Sequence, residues 1–284
     1  MRSDAGSETA IFMAIQRAAH QILDAPPRIL DDPLAVGFVP GSSEPELQAA
    51  APRLQQPTMK VLRSIFVFRS RFAEDALREA VDAGVRQLVV LGAGFDTFAF
   101  RQPPWAHGLR IFEVDHPRSQ EWKRRHLADR NIAVPANVRF CPVDFERVSL
   151  DAGLAAGGFE RRQPAFFSWL GVTQYLTRDA VLGTLRGVRA LAPGTRIAFT
   201  ISVPNSSVPP HEQPVVQFAA EVAAARGEPW LSCFEPAEML AHLSELGFGA
   251  CFHLTTSAAA ARYFDGRTDG LAAPAMAQLL LATV

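Results

Sequence analysis

Short apolar segments that alternate with helical stretches, from residue 87 onwards, constrain the fold of this chain more than any other feature. The first segment is Gln87–Leu91, and it ends at Gly92. A strand of a parallel sheet is covered on both faces and therefore reads as a continuous apolar run. Strands that alternate with helices predict βαβ units and a parallel sheet. Further strand-like runs lie at 109–114, 138–143, 165–169 and 196–203, and the helical stretches lie at 118–129 and 179–192.

The segments on either side of this alternation complete the predicted architecture. Residues 1–84 are expected to form an N-terminal helical cap, which is part of the same domain as the core of residues 85–284 and contains a long helix at 58–83. The predicted fold is a Rossmann-like α/β domain in which helices cover both faces of a mostly parallel, seven-stranded sheet. The tail is expected to add a helix near 236–246 and two antiparallel edge strands near 250–254 and 278–283.

Composition and charge disfavour several classes of function. The 28 Lys and Arg residues balance 29 Asp and Glu residues and form no basic stripe, which disfavours a nucleic-acid partner. No apolar run approaches the ~20 residues that cross a bilayer, and the start MRSDAGSETA lacks a signal-peptide pattern. The 3 cysteines lie far apart, with no HExxH or CxxC motif, so neither disulfides nor a metal site are expected. We expect a cytoplasmic protein without a membrane partner; its oligomeric state is not indicated.

The turn after the first predicted strand is the strongest candidate binding element. Gly92-Ala93-Gly94 follows that strand directly. Glycine allows a sharp turn and a close approach of a ligand to the backbone. In doubly wound sheets, ligands bind outside the carboxyl ends of the strands. A tight turn without a ligand would have the same sequence, so the glycines alone leave the function open.

Acidic residues follow the next two predicted strands. Asp115 stands where an acid can accept hydrogen bonds from both ribose hydroxyls of a nucleoside ligand, and it can equally cap the helix that follows. Asp144 and Phe145 follow the third strand, where they can contact an adenine amino group and pack on its ring. A simple loop cap is the alternative for Asp144.

The spacing around the glycines separates two ligand classes. The dinucleotide fingerprint is G-x-G-x-x-G, and its third glycine permits close packing of helix on strand. Thr97 occupies that third position here. The sequence therefore favours an adenosine ligand without a pyrophosphate over NAD(P).

Seven sequence blocks occur in order along nearly the whole chain: ILDDPLA (29–35), RSRFAEDAL (69–77), LGAGFDTFAFR (91–101), FEVDHPRSQEWKRR (112–125), PVDFE (142–146), FFSWLGVTQYLT (166–177) and RYFDGRTDGL (262–271). Together they resemble the leucine carboxyl methyltransferase-like family, and most closely its bacterial and natural-product branch. Collinear blocks are more specific than a single glycine motif.

The resemblance implies a class I methyltransferase fold that binds S-adenosyl-L-methionine at the ends of the first strands. Arg71 matches the family arginine for the methionine carboxylate, which a guanidinium fork can bind in bidentate fashion; Arg69 is a competing candidate, and an exposed helix charge is the alternative for Arg71. Leu170 replaces a glutamate that the family often has, which removes one polar contact near the cofactor. The expected cofactor-binding residues are Arg71, Gly92, Ala93, Gly94, Asp115, His116, Asp144, Phe145 and Leu170.

The expected reaction is in-line attack of an acceptor oxygen on a sulfonium methyl group, which depends mainly on positioning. A carboxylate acceptor is ionised at neutral pH and needs no base, whereas a phenol benefits from one, typically histidine. Tyr175 and His116 are the candidate catalytic residues; the alternatives are core packing for Tyr175 and a loop position for His116. No complete acid–base set is visible, which slightly favours a carboxylate. The acceptor pocket is expected between the cap and the loop at 203–214, with walls from Phe12, Phe66, Phe68 and Phe218.

The predicted function is therefore S-adenosylmethionine-dependent O-methylation of a carboxylate or hydroxyl on a small molecule, with natural-product (polyketide-like) intermediates as candidates. One alternative is a protein that keeps the fold and binds the cofactor without turnover. The other is an NAD(P)-dependent oxidoreductase, which Thr97 disfavours.

Overall fold

Seven strands form one sheet at the centre of the computed structural model, which describes residues 8–144 and 149–284. Most of them are short runs of buried residues, as the continuous apolar pattern predicts. Their bounds are β1 Gln87–Leu91, β2 Arg110–Asp115, β3 Val138–Pro142, β4 Phe166–Trp169, β5 Arg196–Ser202, β6 Ala250–Leu254 and β7 Ala277–Thr283.

The strand order is β3-β2-β1-β4-β5-β7-β6. The first five strands are parallel, and β7 pairs antiparallel with both β5 and β6. The predicted mostly parallel sheet with antiparallel tail strands is thereby confirmed. Because β1 has β2 on one side and β4 on the other, the strand order reverses at β1 and opens a crevice at the carboxyl ends.

Helices cover both faces of this sheet and build the cap. The longest helix begins with Pro57 in its first turn, where the missing N–H is not needed, and ends before Gly84, whose φ is 99°. The helices are α1 Glu8–Leu23, α2 Glu44–Ala49, α3 Ala51–Leu54, α4 Pro57–Asp82, α5 Pro117–Asp129, α6 Leu150–Ala156, α7 Arg178–Arg189, α8 Gln213–Ala225, α9 Pro236–Glu245 and α10 Thr256–Ala259, which a π-helical turn at Ala260–Phe264 extends.

Two hydrophobic layers hold the helices to the sheet. On one face, Phe72 of α4 packs in a buried cluster with Leu88 of β1 and Ile111 of β2. On the other face, Leu185 of α7 and Met239 of α9 share a second cluster with the neighbouring residues of the same strands. Because α4 belongs to the first layer, the cap is anchored directly on the sheet, next to the crevice at the strand ends. Truncation of a fully buried leucine such as Leu185 to alanine costs about 2–5 kcal/mol of folding free energy.

Candidate active site

The glycine turn after β1 leaves no room for a side chain at Gly92. The amides of Gly92 and Ala93 both donate to the carbonyl of Val114, at 2.9 and 3.1 Å. Gly92 has a φ of 66°, and a Cβ built on it would lie 2.5 Å from Cγ2 of Val172. Gly94 also has a positive φ of 42°. The turn thus exposes backbone, instead of side chains, at the carboxyl end of β1.

Asp115, at the end of β2, is hydrogen-bonded to this turn. Its Oδ2 accepts from the amide of Gly94 at 2.6 Å, and its Oδ1 accepts from the amide of His116 at 2.7 Å. Burial raises the pKa of the Asp115 carboxyl above its ordinary value, while these two amides act in the opposite direction. A carboxylate has about four lone-pair sites, so the two amides leave capacity for further donors such as ribose hydroxyls.

His116 and Asp144 lie at the same edge. His116 is exposed and caps α5, with Nδ1 accepting from the amide of Arg118 at 3.2 Å. Asp144 follows β3, at the point where the amide of Val143 donates to the carbonyl of Asp115 at 2.9 Å. Phe145, the expected adenine contact, lies outside the described residues. The structure therefore places the glycine turn, Asp115, His116 and Asp144 together at the ends of the first three strands.

Arg71 does not lie at this edge, which corrects its proposed contact with the cofactor carboxylate. Its side chain is 46% exposed, and its Nε donates to Asp75 at 2.7 Å. Asp75 also accepts from Arg262 and from the Tyr263 hydroxyl, so Arg71 belongs to a charged groove on the opposite face of α4. Residues i and i+2 of a helix point in directions about 200° apart around its axis. Arg71 therefore faces away from the strand ends that Arg69 faces.

Arg69, the competing candidate, faces the carboxyl end of β4. Its Nη2 contacts the sulfur of Met13 at 3.1 Å, and its guanidinium lies 5.0 Å from the ring centre of Phe66. No carboxylate within the described parts of the chain forms an ion pair with Arg69. Burial, together with the nearby charge of Arg17, lowers the pKa of the guanidinium to about 10, so it stays charged at neutral pH. Arg69 is thus a partly buried cation without a protein counter-ion.

Leu170 follows β4 but turns towards the sheet. It packs against the buried cluster under α4 and lines a small cavity together with Ser168 and Asp96. The replacement of a family glutamate by Leu170 therefore extends the apolar layer at this point.

A second pocket, with a cavity volume of about 70 Å³, lies at the carboxyl ends of β4 and β5. Its walls come from α1, α4, α8 and the strand ends, and they are mostly apolar. Histidine and acidic side chains are absent from the described residues that line it. The lining includes Thr9, Phe12, Met13, Leu62, Ile65, Phe66, Arg69, Gly171, Gln174, Tyr175, Phe218, Ala219, Val222, Arg226 and Trp230.

Tyr175 reaches this pocket from a short helical turn at Thr173–Tyr175. Two hydrogen bonds fix the turn on β5: the Thr173 hydroxyl donates to the carbonyl of Thr200 at 2.6 Å, and the amide of Gly171 donates to the Thr200 hydroxyl at 2.6 Å. Burial raises the pKa of the Tyr175 phenol above its ordinary value of 10.0. At neutral pH the side chain is therefore a hydrogen-bond donor inside an apolar pocket.

Three of the four expected phenylalanines line this pocket. Phe12, Phe66 and Phe218 do so, whereas Phe68 is 3% exposed and packs in the core beside Tyr263 and Phe264. His116 is not among the lining residues.

Two parts of the pocket were missed by sequence reasoning. The wall expected from the loop at 203–214 is formed mainly by α8, and Trp230 beyond it closes the pocket. Val215, Ala219, Val222 and Ala223 recur at helical spacing, and this periodicity is the signal that could have identified α8.

Neither a metal cluster nor a membrane span is visible in residues 8–144 and 149–284. No three His, Cys, Asp or Glu side chains in these ranges are grouped as they would be around a metal ion. No helix in them combines the length and the apolar character that crossing a bilayer requires.

Comparisons with known proteins assign the family. Residues 10–189 match the model of the leucine carboxyl methyltransferase family. YktD of Bacillus subtilis (strain 168), named as an S-adenosyl-L-methionine-dependent methyltransferase, is 30% identical over 96% of this chain and 96% of its own length. A protein of Frankia alni with the same kind of name is 36% identical over 68% of each chain. A crystal structure from Thermobifida fusca YX, described as a methyltransferase, has a TM-score of 0.59 at 17% identity, covering 99% of this chain and 95% of that one.

Proposed function

We propose that this chain, which belongs to the leucine carboxyl methyltransferase family of S-adenosylmethionine-dependent methyltransferases, methylates an oxygen of an apolar small molecule. The chain is a methyltransferase with S-adenosylmethionine as cofactor. Our proposal concerns which atom is methylated and which class of molecule accepts the methyl group.

The arrangement of groups at the strand ends supports this assignment. Gly92 to Gly94 offer a backbone surface with Asp115 beside it, as an adenosine requires. Arg69 has no carboxylate counter-ion among the described residues, and it lies above the segment that follows β4. We assign it to the methionine carboxylate in place of Arg71, because a guanidinium binds a carboxylate in bidentate fashion.

The second pocket supports the role of acceptor site. S-adenosylmethionine supplies an electrophilic methyl group when bound. Arg69 is proposed to contribute to both sites, since it lies over Gly171 in the segment after β4 and also lines the acceptor pocket. Tyr175 is proposed to donate a hydrogen bond that helps to orient the acceptor oxygen. The complete alignment of acceptor oxygen, methyl carbon and sulfur can contribute about 7–11 kcal/mol to lowering a barrier, and one hydrogen bond supplies a small part of it.

The pocket also favours an acceptor that is already ionised. A hydroxyl acceptor needs a base to take its proton. The described lining residues include no His, Asp or Glu, and the raised pKa of Tyr175 keeps its proton in place. A carboxylate has a pKa near 4 and needs no base, so we propose a carboxylate ahead of a hydroxyl as the methylated group.

Calorimetric titration with S-adenosylmethionine tests this proposal. We expect micromolar-range binding to the wild type, a loss of at least about tenfold in affinity for Asp115→Ala and Arg69→Met, and wild-type affinity for Arg71→Met. Arg71→Met is the matched control, because it removes a guanidinium two residues away on the opposite face of α4. Loss of binding in Arg71→Met with none in Arg69→Met would overturn the assignment of the arginine. Absence of binding to folded wild type would overturn the proposed site itself.

A further inference from the structure

Two polar atoms in the acceptor pocket are buried without any hydrogen bond. They are Oγ1 of Thr9, on α1, and Nε1 of Trp230, which follows α8, and neither has a partner in the parts of the chain that the structure describes. Leaving a buried donor unsatisfied is unfavourable, so such atoms in a folded protein call for a physical explanation.

Three of the four other unsatisfied buried atoms have an explanation that these two lack. Arg17 Nε, Asp32 Oδ1 and Glu113 Oε2 all belong to side chains in ion pairs, where an opposite charge lies close by. Asn205 Oδ1 lies outside the pocket lining. Thr9 and Trp230 are therefore the two residues whose unpartnered polar atoms belong to the wall of the proposed acceptor site, among the residues described.

Backbone contacts hold Trp230 firmly beside the reacting centre. The amide of Leu231 donates to the carbonyl of Gln174 at 2.6 Å, and the hydroxyl of Ser232 donates to the carbonyl of Thr173 at 3.1 Å. These bonds dock the segment after α8 on the turn that carries Tyr175. The indole N–H of Trp230 faces the Tyr175 phenol as a weak hydrogen-bond donor and opposes the rise in its pKa that burial causes, but it does not reach full hydrogen-bond geometry with any described group.

We propose that Trp230 Nε1 and Thr9 Oγ1 donate hydrogen bonds to carbonyl-type oxygens that the acceptor carries in addition to the oxygen that is methylated. The indole N–H can only donate, so its partner must be an oxygen or nitrogen with a free lone pair. The walls around these two atoms are mostly apolar, which favours an acceptor that is itself largely apolar. The acceptor class is thus an apolar molecule with at least one uncharged carbonyl. This inference rests on the proposed function, because it takes the pocket to be the acceptor site.

A pair of matched probes tests the proposal without knowledge of the natural acceptor. The probes are 4-phenyl-2-butanone and n-butylbenzene, which share a phenyl ring on a four-carbon chain and differ in the ketone oxygen. Calorimetry is done with protein saturated with S-adenosylhomocysteine. We expect wild type to bind the ketone about tenfold more tightly than the hydrocarbon, because the ketone alone satisfies the donors.

Conservative variants assign this preference to the two donors. Trp230→Phe and Thr9→Val keep the apolar shape and remove the N–H or the hydroxyl, so each should reduce the preference for the ketone several-fold. Thr9→Ser retains a hydroxyl and should restore the preference that Thr9→Val loses. If Trp230→Phe does not fold, the two Thr9 variants still decide the question.

The outcomes separate this inference from the proposed function. Wild type that binds S-adenosylmethionine but shows no preference for the ketone, or binds neither probe, overturns this inference alone. A preference that persists in Trp230→Phe and Thr9→Val overturns it as well. Weaker S-adenosylmethionine binding in these variants, with the probe preference intact, would instead assign the two donors to the cofactor. Wild type that binds no S-adenosylmethionine refutes the proposed function itself.

Discussion

The guanidinium of Arg69 lies directly above Gly171, so that a Cβ built on Gly171 would fall 2.3 Å from Nη1 and 2.7 Å from Cζ. Gly171 also has a φ of 69°, which side-chain-bearing residues rarely adopt. A glycine is therefore required here for two separate reasons, and one of them is the position of the arginine.

Gly171→Ala is predicted to weaken cofactor binding. The added methyl group must displace the Arg69 guanidinium and strain the backbone, so we expect S-adenosylmethionine affinity to fall about tenfold and the free energy of unfolding to fall by about 1–2 kcal/mol. Calorimetry and urea unfolding measure both effects. Gly183→Ala, in α7 with open space around the glycine, is the matched control and should be neutral or stabilising by about 0.5–1 kcal/mol. Unchanged cofactor affinity in Gly171→Ala would contradict the role of Arg69.

Tyr175→Phe is predicted to slow methyl transfer without changing its pH dependence. The phenol keeps its proton throughout pH 6–9 because burial raises its pKa, so it can donate a hydrogen bond but cannot accept a proton. We expect kcat/KM for an accepted substrate to fall about tenfold, with S-adenosylmethionine affinity unchanged. A wild-type rate that rises with pH, and a variant rate that does not, would instead identify a tyrosinate base.

The phenylalanines of the pocket and of the core are predicted to behave differently. Phe218 lines the pocket and is 39% exposed, so Phe218→Ala should raise KM for an apolar acceptor while folding stability changes little. Phe68 is 3% exposed in the core, so Phe68→Ala should cost about 3–5 kcal/mol of folding free energy. Acceptor kinetics and urea unfolding distinguish the two. Equal destabilisation by both variants would place Phe218 in the core.

The buried ion pair between Lys123 of α5 and Glu113 of β2 predicts a variant whose loss of stability depends on pH. Lys123 Nζ lies 2.8 Å from Glu113 Oε1, and both side chains are at most 1% exposed. Burial raises the pKa of Glu113 to about 7, Lys123 opposes this shift, and the neighbouring acids Asp96 and Asp115 add to it. Because the folded-state pKa lies above the ordinary value of 4.5, the proton held by Glu113 stabilises the fold at low pH. That contribution is lost as the pH rises through about 7.

Lys123→Met removes the group that opposes the shift, so the pKa of Glu113 should rise further. The variant should therefore lose about 3–5 kcal/mol of stability at pH 8 and clearly less at pH 5.5, as measured by urea unfolding. The double variant Glu113→Gln/Lys123→Met carries neither charge, so its own free energy of unfolding should depend less on pH than that of the wild type or of Lys123→Met. A loss for Lys123→Met that is the same at both pH values would contradict this account.

The sequence predicted the sheet well because its strands are buried on both faces. β1 was placed at its observed bounds, since a continuous apolar run that ends at Gly92 has few other interpretations. α8 was missed because the prolines before it indicated a loop, although Pro214 occupies the first turn of the helix, where proline is accepted. The apolar pattern thus identified strands that are buried along their whole length. It failed at α8 because proline is common both in loops and in the first turn of a helix.

The site was only partly predictable, for geometric reasons. The location of Asp115 could be predicted because a residue at the end of β2 lies beside the glycine turn, whereas its role in binding stays a prediction. The choice between Arg69 and Arg71 depends on which side of α4 faces the strand ends. A sequence motif does not specify that orientation. Trp230 was not identified because a backbone hydrogen bond from Leu231 to Gln174, distant in sequence, brings it to the pocket.

The insertion of β7 between β5 and β6 also governs the order in which this chain assembles. Among the described strands, β6 pairs with β7 and with no other, so residues 250–254 have no docking edge until residues 277–283 have left the ribosome. β5 likewise presents an open edge during that interval, and unpaired strand edges promote association between nascent chains. Completion of the sheet is therefore a late event in biosynthesis. A substitution that weakens β7 would weaken its pairing with both β5 and β6.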